Sequence, residues 1–99
     1  MIVIEGKSLT DDEFHVVDLG DEPVCIKFLK QIEDLIISSP DGEILFGWDY
    51  GSPEEFTPTN AMLLKPHDNM KGLSKERITH LYMMAREAGT LRVYILAQK

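Results

Sequence analysis

Stretches of alternating or β-branched residues predict five β-strands in this chain. The alternation is clearest near the C-terminus, where Leu91, Val93 and Ile95 recur at every second position. The positions between them include Tyr94 and Leu96, so we expect both faces of this strand to be covered and the strand to lie inside a sheet. The predicted strands run from Met1 to Glu5, Phe14 to Leu19, Glu43 to Tyr50, Ala61 to Lys65, and Leu91 to Gln98.

From about Pro23 to Ile37 the apolar residues change to helical spacing, which predicts a first α-helix. Pro23 suits the first turn of a helix, where its missing N–H is harmless. The segment from Ser38 to Gly42 contains a proline and a glycine, and it would end the helix. The segment from Val24 to Phe28 alone is also typical of a strand, so that alternative stays open. The predicted buried stripe comprises Cys25, Phe28, Leu29, Ile32, Leu35 and Ile36.

Helical spacing also predicts a second α-helix, from about Lys75 to Ala88. Ser74 is a favourable N-cap, and Leu73 can pack on Ile78 as a hydrophobic staple. Gly89 is placed to end the helix in a left-handed conformation. The inward stripe of this helix comprises Ile78, Leu81, Tyr82 and Ala85.

The order of predicted elements is β-(β)-α-β-β-α-β, within a single expected domain of residues 1–99. The first two strands could pair as a hairpin with a long connection. Two helices on one face of a four- to five-stranded, mainly antiparallel sheet would bury both apolar stripes at once. We therefore predict an α+β fold with a ferredoxin-like, split βαβ arrangement.

Acidic residues dominate the first part of the chain, and the formal net charge at pH 7 is −7. Residues 1–60 contain 14 acidic and 3 basic side chains, whereas residues 61–99 contain 3 acidic and 7 basic side chains. An acidic surface repels nucleic acids and anionic membranes and attracts basic partners. We therefore expect a basic protein partner and no direct contact with nucleic acid or membrane.

Cys25 is the single cysteine of the chain, which suits a reducing compartment because no internal disulfide can form. Its neighbours Val24 and Ile26 are apolar, so we expect a small buried side chain rather than a nucleophile. No stretch is apolar over enough residues to span a bilayer, and the N-terminus lacks the pattern of a secretory signal. These features predict a cytoplasmic location.

The sequence carries no motif for catalysis, a metal or a cofactor. His15, His67 and His80 lack the close spacing of a zinc-binding helix, and we expect His67 and His80 at the surface. The acidic run from Asp11 to Glu13 lacks the ligand spacing of a calcium loop, so a solvated turn is expected. We predict no catalytic residue, no metal and no cofactor. An enzyme whose site is assembled from scattered residues stays open as a third alternative.

The segment from Phe46 to Phe56 contains four aromatic residues among three acidic ones. Aromatic side chains give a large contact area, and carboxylates steer a basic partner towards them. Alternatively, Phe46, Trp48 and Tyr50 form the buried face of a strand, as alternating aromatic residues usually do. The predicted partner-binding residues are Trp48, Asp49, Tyr50, Glu54, Glu55 and Phe56.

Two classes of function fit these features. The first is a small acidic module that sequesters or inhibits a basic protein, as inhibitors and immunity proteins do, with a nuclease or nucleic-acid-binding protein as a candidate partner. The alternative is a structural or regulatory subunit that forms a homodimer through its sheet edges or through an apolar surface at Met83 and Met84.

Overall fold

The computed structural model describes residues 1–66, 69–70, 78–87 and 89–98, which form two β-sheets. This part of the chain contains strands and a single 3-10 turn, at Pro53–Glu55. The strands are β1 (Ile2–Glu5), β2 (Glu13–Leu19), β3 (Val24–Ile32), β4 (Asp34–Ser38), β5 (Ile44–Trp48), β6 (Met62–Leu64), β7 (Asn69–Met70), β8 (Ile78–Ala85) and β9 (Leu91–Gln98).

Sheet A has the strand order β1-β3-β8-β5-β6, and sheet B has the order β2-β9-β4-β7. β1 runs parallel to β3, and the other pairings are antiparallel. Glu33 alone separates β3 from β4, so the chain passes directly from sheet A into sheet B. The main core contains side chains from both sheets, among them the fully buried Leu19, Ile26, Leu35, Ile44, Leu81, Met83 and Ile95.

The α+β prediction is wrong, and the first predicted helix is instead β3 followed by β4. The helical spacing has a physical source in the strand itself. The pairing of β3 with β8 shifts register between Lys27 and Ile32. Phe28 and Ile32 lie on the same face of the strand and are both buried, but Lys30 between them is exposed in the irregular stretch. The buried positions therefore recur at a spacing of four, which imitates the period of a helix. The strand alternative for Val24 to Phe28 is therefore confirmed.

The second predicted helix is also wrong where the structure describes it, because residues 78–85 form β8. β8 lies between β3 and β5, with the main core on one face and a loop on the other. A strand covered on both faces carries a continuous apolar run, here from Leu81 to Ala85, and such a run is hard to distinguish from a buried helix. The proposed cap at Ser74 and the staple residue Leu73 lie outside the described residues.

Gly89 has a φ of 126°, in the left-handed region predicted for it. It does not end a helix, because it lies in the connection between β8 and β9. The ferredoxin-like arrangement is thus replaced by two packed sheets without the two helices that it requires.

The strand predictions are confirmed within a few residues at each end. β9 lies between β2 and β4, as the apolar character of both its faces predicted. The hairpin of the first two strands is wrong, because β1 pairs with β3 in sheet A whereas β2 pairs with β9 in sheet B.

Single substitutions of Ile26 and Leu29 by alanine distinguish the observed strand from the predicted helix. Ile26 is 0% exposed in the main core, whereas Leu29 is 46% exposed. We expect Ile26→Ala to lower the free energy of unfolding by about 2–5 kcal/mol. Leu29→Ala should lower it by less than about 1 kcal/mol, as measured by urea denaturation. The helical interpretation places Leu29 on the buried stripe and Ile26 outside it, so the opposite order of effects would contradict the strand.

Candidate functional site

Residues 49–61 leave β5 and fold back over the outer face of sheet A, the face turned away from the main core. Phe56 is only 4% exposed. The centroid of its ring lies 5.5 Å from that of Tyr50 and 5.6 Å from that of Tyr82. Together with Cys25, these rings form a second, smaller core. We call residues 49–61 the covering loop.

Gly47 allows the covering loop to lie close to the sheet. A Cβ atom at this position would lie 2.1 Å from the hydroxyl oxygen of Tyr50. That hydroxyl donates a hydrogen bond of 2.6 Å to the carbonyl oxygen of Asn60. The absent side chain at Gly47 therefore makes room for the ring that ties the two ends of the loop together.

Trp48 and Tyr50 lie on opposite faces of sheet A, although the alternation predicted a shared face. Trp48 is half-buried against the main core, with its ring centroid 6.3 Å from that of Phe46, whereas Tyr50 packs on the second core. Asp49 lies between them with a φ of 51°, in the left-handed region. This conformation breaks the period of two and redirects the chain.

The carboxylate of Asp49 attaches the covering loop to β8. It accepts hydrogen bonds from the Thr79 amide at 3.0 Å, the Thr79 hydroxyl at 2.9 Å and the His80 amide at 2.9 Å. The amide of Asp49 in turn donates to the carbonyl oxygen of His80 at 3.0 Å. Asp49 therefore acts inside the molecule as an anchor between two segments.

Glu54 and Glu55 are exposed on the 3-10 turn of the covering loop. The Oε2 atom of Glu55 accepts a 2.8 Å hydrogen bond from the Gly51 amide. The six predicted partner-binding residues thus lie at or within one loop. Of the group, the glutamates point to solvent, whereas Phe56 is buried.

A groove of about 420 Å³ is lined by the covering loop on one side and by residues of β1, β3 and β8 on the other. Glu5, Lys27 and His80 lie in one row across these strands and line the groove. Cys25 and Tyr82 form part of the groove wall. Burial raises the pKa of the Cys25 thiol and of the Tyr82 hydroxyl, so both stay protonated near neutral pH. The expectation that Cys25 is buried is confirmed, and a protonated thiol is a poor nucleophile.

Hydrogen bonds assign the neutral tautomer of His80. An ionised Asp49 only accepts hydrogen bonds, so the Thr79 hydroxyl donates its proton to that carboxylate. The Thr79 oxygen must then accept from Nδ1 of His80, at 2.9 Å. The lone pair of neutral His80 consequently resides on Nε2. His80 is half-buried at the groove rather than fully at the surface.

The outer face of sheet B presents exposed apolar side chains in two adjacent rows across the strands. Phe14, Leu96 and Ile36 form one row, and Val16 and Tyr94 belong to the next. Phe14 is 56% exposed, Val16 50% and Tyr94 37%, and the other two are half-buried. The rings of Phe14 and Tyr94 stack with centroids 6.4 Å apart. We call these five residues the apolar face.

A shallow depression of about 370 Å³ borders the apolar face beside Tyr94. Its wall includes Asp18, Asp41 and Arg92. Arg92 donates to Asp18 at 3.0 Å, and this hydrogen bond holds the pKa of the Asp18 carboxyl below its usual value. With two carboxylates and one guanidinium, the depression carries a net negative charge.

Sequence reasoning missed a buried polar pair on β2. Glu13 and His15 are 2% and 3% exposed, and Nε2 of His15 lies 2.9 Å from Oε1 of Glu13. The same Glu13 oxygen accepts a hydrogen bond from the Lys7 amide at 2.8 Å. The expectation of a solvated turn therefore holds for Asp11 and Asp12 but is wrong for Glu13. Period-two alternation places both residues on the same face as Val17, but only the structure shows that this face is the buried one.

Met83 is fully buried in the main core, and Met84 packs against the second core. The apolar surface predicted at these two residues is therefore wrong for Met83. His67 lies outside the described residues.

No group of three or more His, Cys, Asp or Glu side chains in the described ranges is arranged to hold a metal ion. Those ranges also contain no helix of the length and apolarity needed to cross a membrane. Comparison with protein-family models finds no match, and comparisons with curated proteins and with solved structures find none either.

The reactivity of Cys25 reports whether the covering loop is closed. Iodoacetamide should alkylate Cys25 slowly in the native protein, because the side chain is 4% exposed and burial raises the pKa of its thiol. As the pH rises, the native thiolate fraction stays below that of the unfolded chain. We expect Phe56→Ala to raise the alkylation rate by about 10-fold or more, as measured by mass spectrometry. Phe14→Ala removes a ring from the opposite sheet and should leave the rate unchanged. Equal rates for the two variants would contradict the covering role of Phe56.

Gly47→Ala tests the close contact between the covering loop and sheet A. The new methyl group would displace the Tyr50 ring, so we expect a loss of about 1–3 kcal/mol in the free energy of unfolding. Gly20→Ala is the matched control, because a Cβ atom there meets nothing within 4 Å. It should change stability by no more than about 0.5 kcal/mol. Urea denaturation measures both, and equal losses would show that the contact at Gly47 is not tight.

Proposed function

We propose that this protein is a small binding module that sequesters a basic protein partner by docking it on the apolar face of sheet B. The observation that carries the proposal is the exposure of Phe14, Val16 and Tyr94 side by side on a regular sheet. Contiguous apolar patches of this kind on small proteins mark interaction surfaces, whereas single exposed apolar residues need no explanation.

The contrast between the two sheets supports this choice of surface. Sheet A also has apolar side chains at the centre of its outer face, including Cys25 and Tyr82, but the covering loop packs Phe56 against them. In the described part of the chain, no segment covers the apolar face of sheet B in the same way. A partner that docked there would remove from water the side chains that this chain leaves exposed.

Charge favours a basic partner. The chain carries a net charge of −7, and the exposed carboxylates of Asp18 and Asp41 line the depression that borders the apolar face. The depression beside Tyr94 places carboxylates next to an aromatic ring, which is a favourable environment for a lysine or arginine side chain. Long-range attraction would speed the encounter, and burial of the apolar face would supply most of the affinity.

The partner is basic, as the composition indicates, but it docks on the apolar face and not on the covering loop. Phe56 is buried in the second core, and the carboxylate of Asp49, although exposed, already accepts hydrogen bonds from β8. The exposed Glu54 and Glu55 add to the acidic field around the molecule. Occupying the basic surface of a nucleic-acid-binding protein would block that surface, which is how such a module would inhibit.

Site-specific photocross-linking tests the docking surface. A benzophenone amino acid at position 14 should capture a basic protein in the source cells, whereas the same group at position 63 should not. Leu63 is a matched site, because it is apolar and 42% exposed on sheet A. With the captured protein purified, we expect Phe14→Ser and Tyr94→Ser each to weaken binding by about 10-fold or more in calorimetry.

Leu63→Ser should keep the affinity within about 2-fold, since it lies away from the interface. The affinity should also fall as salt is added, because the partner is basic. Cross-linking to a second copy of this chain alone would overturn the proposal in favour of the self-associating alternative. An affinity that is indifferent to Phe14 and Tyr94 would overturn it as well.

A further inference from the structure

We infer that the partner contributes an extended segment that adds to sheet B as a new strand beside residues 14–19 of β2, along the edge that faces away from β9. This inference rests on the proposed function and specifies how the docking occurs. The segment would carry apolar residues at alternate positions and a lysine or arginine placed opposite Asp18.

The position of β2 provides the first argument. β2 is the end strand of sheet B, and among the described strands its pairing partner is β9. In the described part of the chain, the backbone of residues 14–19 makes no hydrogen bond outside that pairing. Alternate N–H and C=O groups of an edge strand point away from its neighbour, and they form a ready template for another strand.

The length and regularity of β2 provide the second argument. β2 has seven residues, compared with four in β1, three in β6 and two in β7. Its register with β9 runs without a shift from Glu13 to Leu19. β2 also contains no proline, lysine or bulge, and its one inward-pointing acid, Glu13, is its first residue, so residues 14–19 lack these features that commonly protect an edge strand from pairing. Among the described edges, β2 is therefore the one suited to accept a strand.

Side chains on β2 define which segment would fit. Phe14, Val16 and Asp18 alternate on the outer face of the sheet. A strand added beside β2 would place every second side chain next to these three, because directly opposite residues share a face. Apolar residues beside Phe14 and Val16 would extend the apolar face, and a basic residue beside Asp18 would meet a carboxylate. Backbone hydrogen bonds would supply affinity, and these alternate contacts would supply specificity.

A second copy of this chain fits the same edge poorly. In an antiparallel pairing that sets Phe14 opposite Val16 of the second copy, Asp18 falls opposite Asp12 of that copy. In the register that sets Val16 opposite itself, Asp18 falls opposite Phe14. Like charges directly opposite each other are destabilising, and both chains carry the same net charge of −7. The occupant is therefore a different protein with a basic, alternating segment.

Synthetic peptides of the same length as β2 test strand addition on the full chain. The parent peptide alternates threonine with valine or phenylalanine and has a lysine at each end. Two isomers each carry three N-methyl groups on alternate residues, one at its second, fourth and sixth residues and the other at its third, fifth and seventh residues. An added strand directs only one of these two sets of N–H groups towards β2.

We expect the parent peptide to bind and to shift the amide resonances of β2 in ¹⁵N spectra. One N-methylated isomer should bind about 10-fold or more weakly, and the other should stay within about 3-fold of the parent, because only one set of N–H groups donates to β2. A peptide with glutamate in place of both lysines should bind more weakly than the parent.

Equal effects of the two methylation patterns would overturn strand addition, as would a parent peptide that fails to shift the β2 resonances. These results are distinguishable from failure of the proposed function. If Phe14→Ser and Tyr94→Ser still weaken binding of the captured partner, docking on the apolar face stands and only the added strand is withdrawn. If those variants bind normally, the docking surface itself is wrong.

Discussion

The apolar centre of the outer face of sheet A is the constraint on which much of this structure depends. Cys25 and Tyr82 lie on that face, away from the main core, and would contact water if nothing covered them. The covering loop buries them under Phe56, and burying an aromatic ring of this kind contributes roughly 1.5–3 kcal/mol. The left-handed backbone of Asp49 and the missing side chain of Gly47 allow the loop to reach this position.

The need to cover this face explains why the covering loop, which has the composition of a binding surface, packs against sheet A. Aromatic rings with neighbouring acids are typical of protein interfaces, and the same composition suits a loop that must pack on one side and face water on the other. Phe56 serves the packing, and Asp49 attaches the loop to β8 through three donors. Asp49 is exposed as well but is bound to β8, whereas Glu54 and Glu55 keep the solvent-facing role that the composition indicated.

Sheet B has the opposite arrangement, so the two outer faces of the molecule differ. A loop covers the apolar centre of one, and the other exposes aromatic rings. Its inner face completes the main core with Leu35, Val93 and Ile95, while its outer face holds Phe14 and Tyr94 in contact with solvent. β2 carries Phe14 and is also the end strand of sheet B. A surface that combines exposed rings, a regular edge and neighbouring carboxylates offers a partner burial, backbone hydrogen bonds and charge at the same place.

The sequence predicted β1, β2, β5, β6 and β9, the interior place of β9 and the burial of Cys25, because these features follow from local alternation, β-branched residues and residue chemistry. It could not determine β3 or β8, because a register shift and burial on both faces imitate helical spacing. Nor could it show which face of β2 is buried, the one with Phe14 and Val16 or the one with Val17 and Leu19, since both faces carry apolar residues. The tertiary structure decided which apolar faces are covered, because coverage depends on segments distant in sequence and on the turn that a single left-handed residue makes possible.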